Sequence, residues 1–459
     1  MPLTGSNFRS IALSLLVLAA VASCGTPAPA LEKQPFETYH ARRVALAQKL
    51  QGGAAIFFAA EQPLVDFMPY RQDEDFYYLT GWNEPGAALL ILADSPAAAP
   101  AFPARKYREI LFLPTRNLRM EKYTGEKLDA ANPHAEHVVG VDEVLPMADL
   151  ASELNKAIVA DRRLARQLFT EPDAPAAKAL VTWVASTLGM DTTPGTQDLS
   201  PLTTQLRVVK DSGELALLKK ASDASIAAQR VMLQSTRPGV TERTLAGKIL
   251  ATLMAEGCER PSYAPIVGTG INSTTLHYSE NTATLADGDI MVVDAAGEYS
   301  MYASDITRTV PVNGHFTARQ REVYDVVLGA QRAAAAAFVA GKSTINDPQH
   351  RDPNSLDTAA WNYINTHGHG LQGEPLSDFW IHGLGHMVGI NVHDPSGYPA
   401  VLKPGMVFTI EPGVYIPEEK LGVRIEDVFV VGQDGKLIDL VADLPHTADE
   451  VEAAMKPAK

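Results

Sequence analysis

The sequence predicts a protein of mixed α/β and α+β class, an N-terminal α/β domain followed by a C-terminal domain whose helix-helix-hairpin pattern occurs twice. Three observations carry that reading. The chain has 459 residues, and at about 100 to 200 residues per domain that length favours two domains over one. Hydrophobic residues make up 46% and charged residues 20%, the balance of a soluble globular protein and not of a disordered chain or a membrane bundle. Short apolar strands mix with helical stretches in the first part, and helices precede hairpins twice in the second. The 31 prolines and 33 glycines add many turns. With 54 acidic against 39 basic residues the net charge is -15, which repels phosphate backbones, excludes nucleic acid as a partner and suits cation binding.

Near its start the chain carries Arg9 and then an apolar run from Ile11 to Ala22, too short to span a bilayer and shaped like the core of a signal peptide. Val21-Ala22-Ser23-Cys24 resembles a bacterial lipoprotein box. Residues 1–23 are therefore expected to be a lipoprotein-type signal, Cys24 a lipidated N-terminus and residues 24–35 a tether. That places the protein in the bacterial cell envelope, lipid-anchored and facing the periplasm. Ordinary cleavage near Ala28-Pro29-Ala30 is the alternative and leaves a soluble periplasmic or secreted protein. The other cysteine, Cys258, lies too far from Cys24 in sequence and context to suggest a disulfide framework and reads as an inert thiol.

Residues 36–198 form the first domain, with strands at Gly86 to Leu92 and Glu109 to Leu113. Asp191 to Pro201, rich in Thr, Pro, Gly and Asp, marks its end. The second domain covers residues 206–445. Gly213 to Thr236 and Thr241 to Glu256 read as helices, followed by strands at Ile290 to Ala296 and Asp305 to Val312. Thr317 and Gln320 make a capping box for a helix running to Ala340. A shorter helix covers Ser355 to Thr366, and strands follow at Met406 to Glu411 and Val423 to Val431. The halves share element order without sequence identity, so a duplication would set them facing each other across one site. The polar stretch Asn346 to Asp357, with Pro348, His350 and Pro353, reads as an insertion between helices and suggests no function.

Candidate chemistry sits on the strands of the second domain. Asp294 closes the apolar run Ile290-Met291-Val292-Val293, where a carboxylate must face a polar pocket or a cation to offset its desolvation. Asp305 opens the return strand, and across a hairpin the two carboxylates approach each other. Glu411, in Ile410-Glu411-Pro412-Gly413, and Glu426, in Arg424-Ile425-Glu426-Asp427, pose the same problem. The segment from His382 to Asp394 adds His382, His386 and His393. Glycines at 383 and 385 argue against a helix there, and in an extended strand positions 382 and 386 share a face. His277 lies seventeen residues before Asp294. Taken singly, a strand-end aspartate is a turn or cap residue, a histidine a satisfied core or surface group, and Arg308 and Arg424 partners of nearby acids. Together, two aspartates, two glutamates and a histidine on apolar strands point to a metal site. Carboxylates with imidazole and no thiolate favour Mn or Co over a cysteine-rich zinc site. Four carboxylates balance two divalent ions, which can share a water and make it a strong nucleophile near neutral pH, the chemistry of hydrolysis.

These residues resemble, from about Lys210 to Val431, the metallopeptidases of the methionine aminopeptidase, prolidase and aminopeptidase P superfamily, whose fold is called pita-bread. The resemblance implies that Asp294 binds one metal, that His386 and Glu411 bind the other, and that Asp305 and Glu426 bridge the pair. It implies two divalent ions, most often Mn, with Co or Zn possible. His277, His382 and His393 match the three catalytic-centre histidines, with His277 and His382 flanking the developing oxyanion. Arg424 would orient Glu426 or reach a substrate carbonyl, and Glu411 would pass a proton to the leaving nitrogen. Tyr70-Arg71-Gln72-Asp73-Glu74-Asp75-Phe76-Tyr77-Tyr78-Leu79-Thr80-Gly81-Trp82-Asn83-Glu84-Pro85-Gly86 is similar to the N-terminal domain of bacterial aminopeptidase P, as are Leu113-Pro114 and Tyr123-Thr124-Gly125. Phe76, Tyr77 and Tyr78 read as core and subunit-contact residues, so this segment marks ancestry more than chemistry. The implied activity is removal of an N-terminal residue from peptides with proline second, by a homo-oligomer. A prolidase cleaving Xaa-Pro dipeptides shares the same plan. An inactive pita-bread peptide-binding protein is the rival of another class, and it would lack the full metal set.

Overall fold

The computed structural model describes residues 31–62, 70–97, 104–171, 174–187, 189, 196–397 and 399–456. The expected signal sequence, Cys24 and most of the tether lie outside the described residues. Among those described, no helix is long and apolar enough to cross a membrane.

The N-terminal part opens with helix α1 (Phe36–Lys49) and strand β1 (Ala54–Phe58), then helix α2 (Glu74–Thr80) and strands β2 (Ala88–Leu92), β3 (Arg108–Leu113) and β4 (Glu143–Pro146). Helix α3 (Leu150–Ala160), strand β5 (Leu168–Thr170), helix α4 (Pro175–Thr187), strand β6 (Gln197–Asp198) and helix α5 (Ser200–Arg207) complete it. The sheet order is β4-β3-β2-β1-β5-β6. The pairs β1–β2 and β2–β3 are antiparallel, and β3–β4, β1–β5 and β5–β6 are parallel. Every residue of β2 is buried, as expected of a central strand covered on both faces. One face packs on Leu154 and Ile158 of α3 and Val181 and Val184 of α4. Asp73 caps α2 by accepting from the Phe76 N–H at 2.8 Å, and Phe76, Tyr77 and Tyr78 are core residues. Gly81 ends α2 at φ 62°, and a Cβ there would fall 2.6 Å from the Tyr39 ring, so the position requires glycine.

The second part begins with α6 (Ser212–Ser235) and α7 (Glu242–Ala255). A capping box of Asp211 and Glu214 starts α6. Strands β7 (Arg260–Pro261), β8 (Ile266–Thr269), β9 (Ile290–Asp294), β10 (Gly297–Tyr299), β11 (Tyr302–Ala303) and β12 (Thr307–Pro311) follow. The second half repeats the order with α8 (Ala318–Ala337) and α9 (Leu356–Thr366), then β13 (Val407–Ile410), β14 (Gly413–Ile416), β15 (Leu421–Arg424), β16 (Asp427–Val431) and β17 (Leu437–Asp439). Its sheets run β12-β9-β8, β11-β10-β7, β13-β16-β17 and β14-β15. Thr317 and Gln320 form the expected capping box. The helix ends at Ala337 and not Ala340, because Phe338 turns extended and packs on Phe408, with ring centroids 6.5 Å apart. The expected strand Val423 to Val431 is two strands, interrupted at Ile425 and Glu426. Met232, Ile249, Val293, Val327, Phe408 and Val423 belong to a single core shared by both halves.

A glutamine on the long helix of each half marks the duplication. Gln229 of α6 donates to the carbonyls of Ala295 and Ile306 at 3.0 and 3.2 Å. Gln331 of α8 donates to the carbonyl of Ile410 at 3.2 Å and to Asp427 Oδ2 at 2.7 Å. Each thus ties together the two strands that deliver one pair of acidic residues.

Candidate metal centre and active site

Asp294 is the last residue of β9, paired with Thr307 of β12 and Ile266 of β8. Asp305 precedes β12 by two residues instead of opening it. Glu411 lies in the link between β13 and β14, and Glu426 in the interruption between β15 and β16. The Glu426 N–H donates to the Thr307 carbonyl at 3.1 Å, which brings the second half's hairpin against the first. The segment 382–386 is neither helix nor regular strand. It runs along β13 through Glu411 N–H to Leu384 O and Thr409 N–H to His386 O, at 2.8 and 2.9 Å. Gly385 is pressed so close to Thr409 that a Cβ would meet its carbonyl at 2.2 Å, and Asn346 takes up both of its backbone groups, accepting at 3.2 Å and donating at 2.7 Å.

All nine candidate residues line one cavity of about 570 Å³: His277, Asp294, Asp305, His382, His386, His393, Glu411, Arg424 and Glu426. Asp305, His386 and Glu426 offer ligand atoms within 4.8 Å of one another. His386 Nε2 lies 3.3 Å from Asp305 and 3.4 Å from Glu411. Its Nδ1 faces the Met387 carbonyl at 3.1 Å, which fixes the tautomer that leaves Nε2 free to ligate. Burial opposes charge on His386, but the hydrogen bond to Asp305 and the charges of Glu411 and Asp305 outweigh it and raise its pKa to about 9.

The donor set fits divalent cations. Glu426 is 1% exposed, and its Oε1 is buried with no hydrogen-bond partner, an arrangement that costs free energy unless a cation faces that oxygen. Burial, then repulsion from Asp305, Glu411 and Asp294, pushes the Glu426 pKa well up. Burial and Asp305 likewise raise Glu411 to about 7. Asp294 is raised by burial and Asp305 despite Arg424. The Tyr263 hydroxyl contacts both Asp294 and Asp305, the latter at 2.5 Å. A phenol has one proton to give, so one of these carboxyls must carry its own proton or the three oxygens must share a cation.

Arg424 reaches Asp294 at 2.7 Å, and its link toward Glu426 runs through Thr307. Its Nε donates to Thr307 Oγ1 at 3.1 Å, and that hydroxyl donates to Glu426 Oε2 at 2.7 Å. Its Nη1 donates to the Tyr415 oxygen at 3.0 Å, so the Tyr415 proton is directed to His382 Nε2 at 2.9 Å, and His382 Nδ1–H to the Gly383 carbonyl at 2.8 Å. Both nitrogens of His382 are thus engaged, and the residue lines the cavity. Burial, then Arg424 and His277, pushes its pKa down to about 4. His277 and His393 are exposed on the cavity wall, and the His393 ring stands edge-on to His386 with centroids 4.2 Å apart. Tyr263, Thr307, Asn346, Thr409 and Tyr415 were missed by sequence reasoning.

Fold and site together define a metallopeptidase of family M24, whose model matches residues 216–433. Residues 39–165 match the aminopeptidase P N-terminal domain. Xaa-Pro aminopeptidase of Escherichia coli is 32% identical over 460 residues, covering 94% of this chain and 99% of the relative. Human Xaa-Pro aminopeptidase 3 is 30% identical, covering 83% and 76%. Among solved structures, proline aminopeptidase P II from Yersinia pestis is 32% identical with a TM-score of 0.78, covering 92% of this chain and 99% of that one. A variant of E. coli aminopeptidase P in complex with substrate is 30% identical with the same TM-score and coverage. The chain belongs to the Xaa-Pro aminopeptidase, or aminopeptidase P, family.

Proposed function

We propose that the protein hydrolyses the bond between an N-terminal residue and a following proline in peptides longer than two residues, with two divalent ions held by its own five ligands. Asp294 would hold one ion, His386 and Glu411 the other, with Asp305 and Glu426 shared. The observation that carries this reading is the convergence of three buried carboxylates, Asp294, Asp305 and Glu426, with the half-buried Glu411 and His386 on one cavity, with an oxygen of Glu426 left unpaired. Ions bound there would supply Lewis acidity toward the scissile carbonyl and a nucleophilic water near neutral pH. Glu411, beside the ion it would hold with His386, would pass the proton that must reach the departing proline nitrogen. Arg424 and Thr307 hold Asp294 and Glu426 in place, and Tyr415 with His382 buttresses Arg424. His277 and His393 contact the substrate from the cavity wall. The all-oxygen and imidazole donor set suits Mn or Co, with Zn accepted. The mature protein is a homo-oligomer tethered to the cell envelope through lipidated Cys24; the family resemblance supports the first and the Val21-Ala22-Ser23-Cys24 box the second.

The test is product release by the protein lacking residues 1–24, stripped of metal and then given Mn, from an Xaa-Pro dipeptide, an Xaa-Pro tripeptide and an Xaa-Ala tripeptide. Cleavage of the Xaa-Pro tripeptide only after Mn addition is expected. Cleavage of the dipeptide alone would make the enzyme a prolidase, and no cleavage with two ions bound would overturn the substrate assignment.

A further inference from the structure

The loop carrying His393 is gripped by charged groups from the start of the second domain, Arg207 and Lys210, and from the N-terminal domain, Arg71 and Glu74. Asp394 is buried and accepts from Arg207 Nη2 at 2.6 Å and Lys210 Nζ at 2.9 Å. The other guanidinium nitrogen of Arg207 donates to Asp75 of α2 at 2.6 Å. Arg71, just ahead of α2, donates through Nη2 to the Ile390 carbonyl at 2.8 Å, through Nη1 to Glu74 at 2.6 Å and through Nε to Glu298 of β10 at 2.8 Å. Glu74 also accepts from Asn391 Nδ2 at 3.0 Å, and Asn391 Oδ1 accepts the backbone N–H of His393 itself at 3.0 Å. The loop is closed tightly enough that a Cβ at Gly389 would fall 2.6 Å from the Asp394 carboxyl.

Buried ion pairs are a poor route to stability, because desolvation consumes most of the Coulombic gain, and fixing one geometry is their better-attested use. Here the geometry fixed is that of a histidine on the cavity wall whose ring abuts His386. We propose that the N-terminal domain is a positioning element of the catalytic centre, in which Arg71, Glu74 and Asp75 act through Asn391 and Arg207 to hold the loop that aims His393 at the substrate. This rests on the reading of His393 as a catalytic-centre histidine. It gives the segment Tyr70 to Gly86 a function beyond core packing.

The experiment is a double-mutant cycle on the metal-loaded protein, comparing wild type, Arg71→Met, His393→Ala and the double variant for kcat, KM, bound metal and Tm on an Xaa-Pro tripeptide. Arg71→Met is expected to lower kcat about 10- to 100-fold, the range in which small misplacements of catalytic groups fall, with bound metal unchanged. In the His393→Ala background the same substitution should change kcat less than about twofold, because a residue acting through His393 has nothing left to position. Asn391→Ala, which leaves the Arg71–Glu298 pair intact, serves as a second variant should Arg71→Met fail to fold, and the same non-additivity is expected of it. Equal losses in both backgrounds, or full turnover by both Arg71→Met and Asn391→Ala, would overturn the proposal. Full turnover by His393→Ala would instead overturn the role of His393, and the positioning proposal with it.

Discussion

Thr307 and Thr409 each stand two residues from a carboxylate, Asp305 and Glu411, so strand alternation sets threonine and acid on one face. Thr307 relays Arg424 to Glu426. Thr409 accepts the His386 N–H at 3.1 Å and donates to Glu411 at 3.2 Å. Thr409→Val keeps the shape and removes both bonds. It should weaken metal binding about 10- to 100-fold, as loss of outer-shell partners does elsewhere, measured by competition with a chelator while the circular dichroism spectrum stays unchanged. The candidate ligands were legible only as a set, because two aspartates, two glutamates and a histidine on apolar strands have no common structural use. The two threonines were legible in principle through their period-two spacing. Tyr263 and Asn346 were not, since they reach the centre from loops whose approach no local pattern encodes.

The two long helices act on the strands through Gln229 and Gln331, both buried. Gln331→Leu would leave the Ile410 carbonyl and a buried Asp427 oxygen short of a donor, and should cost about 1 to 3 kcal/mol of stability, read from urea unfolding. Gln229→Leu should cost less, because Gln229 Oε1 is already without a partner and its removal takes away one buried unsatisfied group. The order of these helices and strands was legible from periodicity and the Thr317 capping box. The interruption at Ile425 and Glu426 was not, because an apolar run continues through it and only pairing to Thr307 across the halves breaks the strand. The segment around His386 fails as a strand for a related reason: its hydrogen bonds are shared between β13 and the Asn346 side chain.

The parts of the molecule are joined by ion pairs between residues far apart in sequence, such as Arg207 with Asp394 and Arg42 with Asp211. Burial alone would raise the Asp394 pKa, but Lys210 and Arg207 outweigh it and hold the carboxyl below its usual range. A depressed folded-state pKa contributes stability that is present above the unfolded value of about 3.9 and is lost as pH falls through the lower folded value. Asp394→Asn should therefore lower Tm at pH near 7 and flatten its decline below about pH 4, measured by thermal scans across that window. Composition and element order made the two-part architecture legible. The ion pairs were not, because each charge alone reads as a solvated surface group.

The first half of the second domain supplies Asp294 and Asp305, and the second half His386, Glu411 and Glu426. A ribosome makes the chain from its N-terminus, and domains fold as they emerge. The two halves share one core, so the site is assembled only when the second half has been made and packed on the first. All five groups are present together only once the chain has been made through Glu426, and a fragment truncated before that residue should release no product from an Xaa-Pro tripeptide.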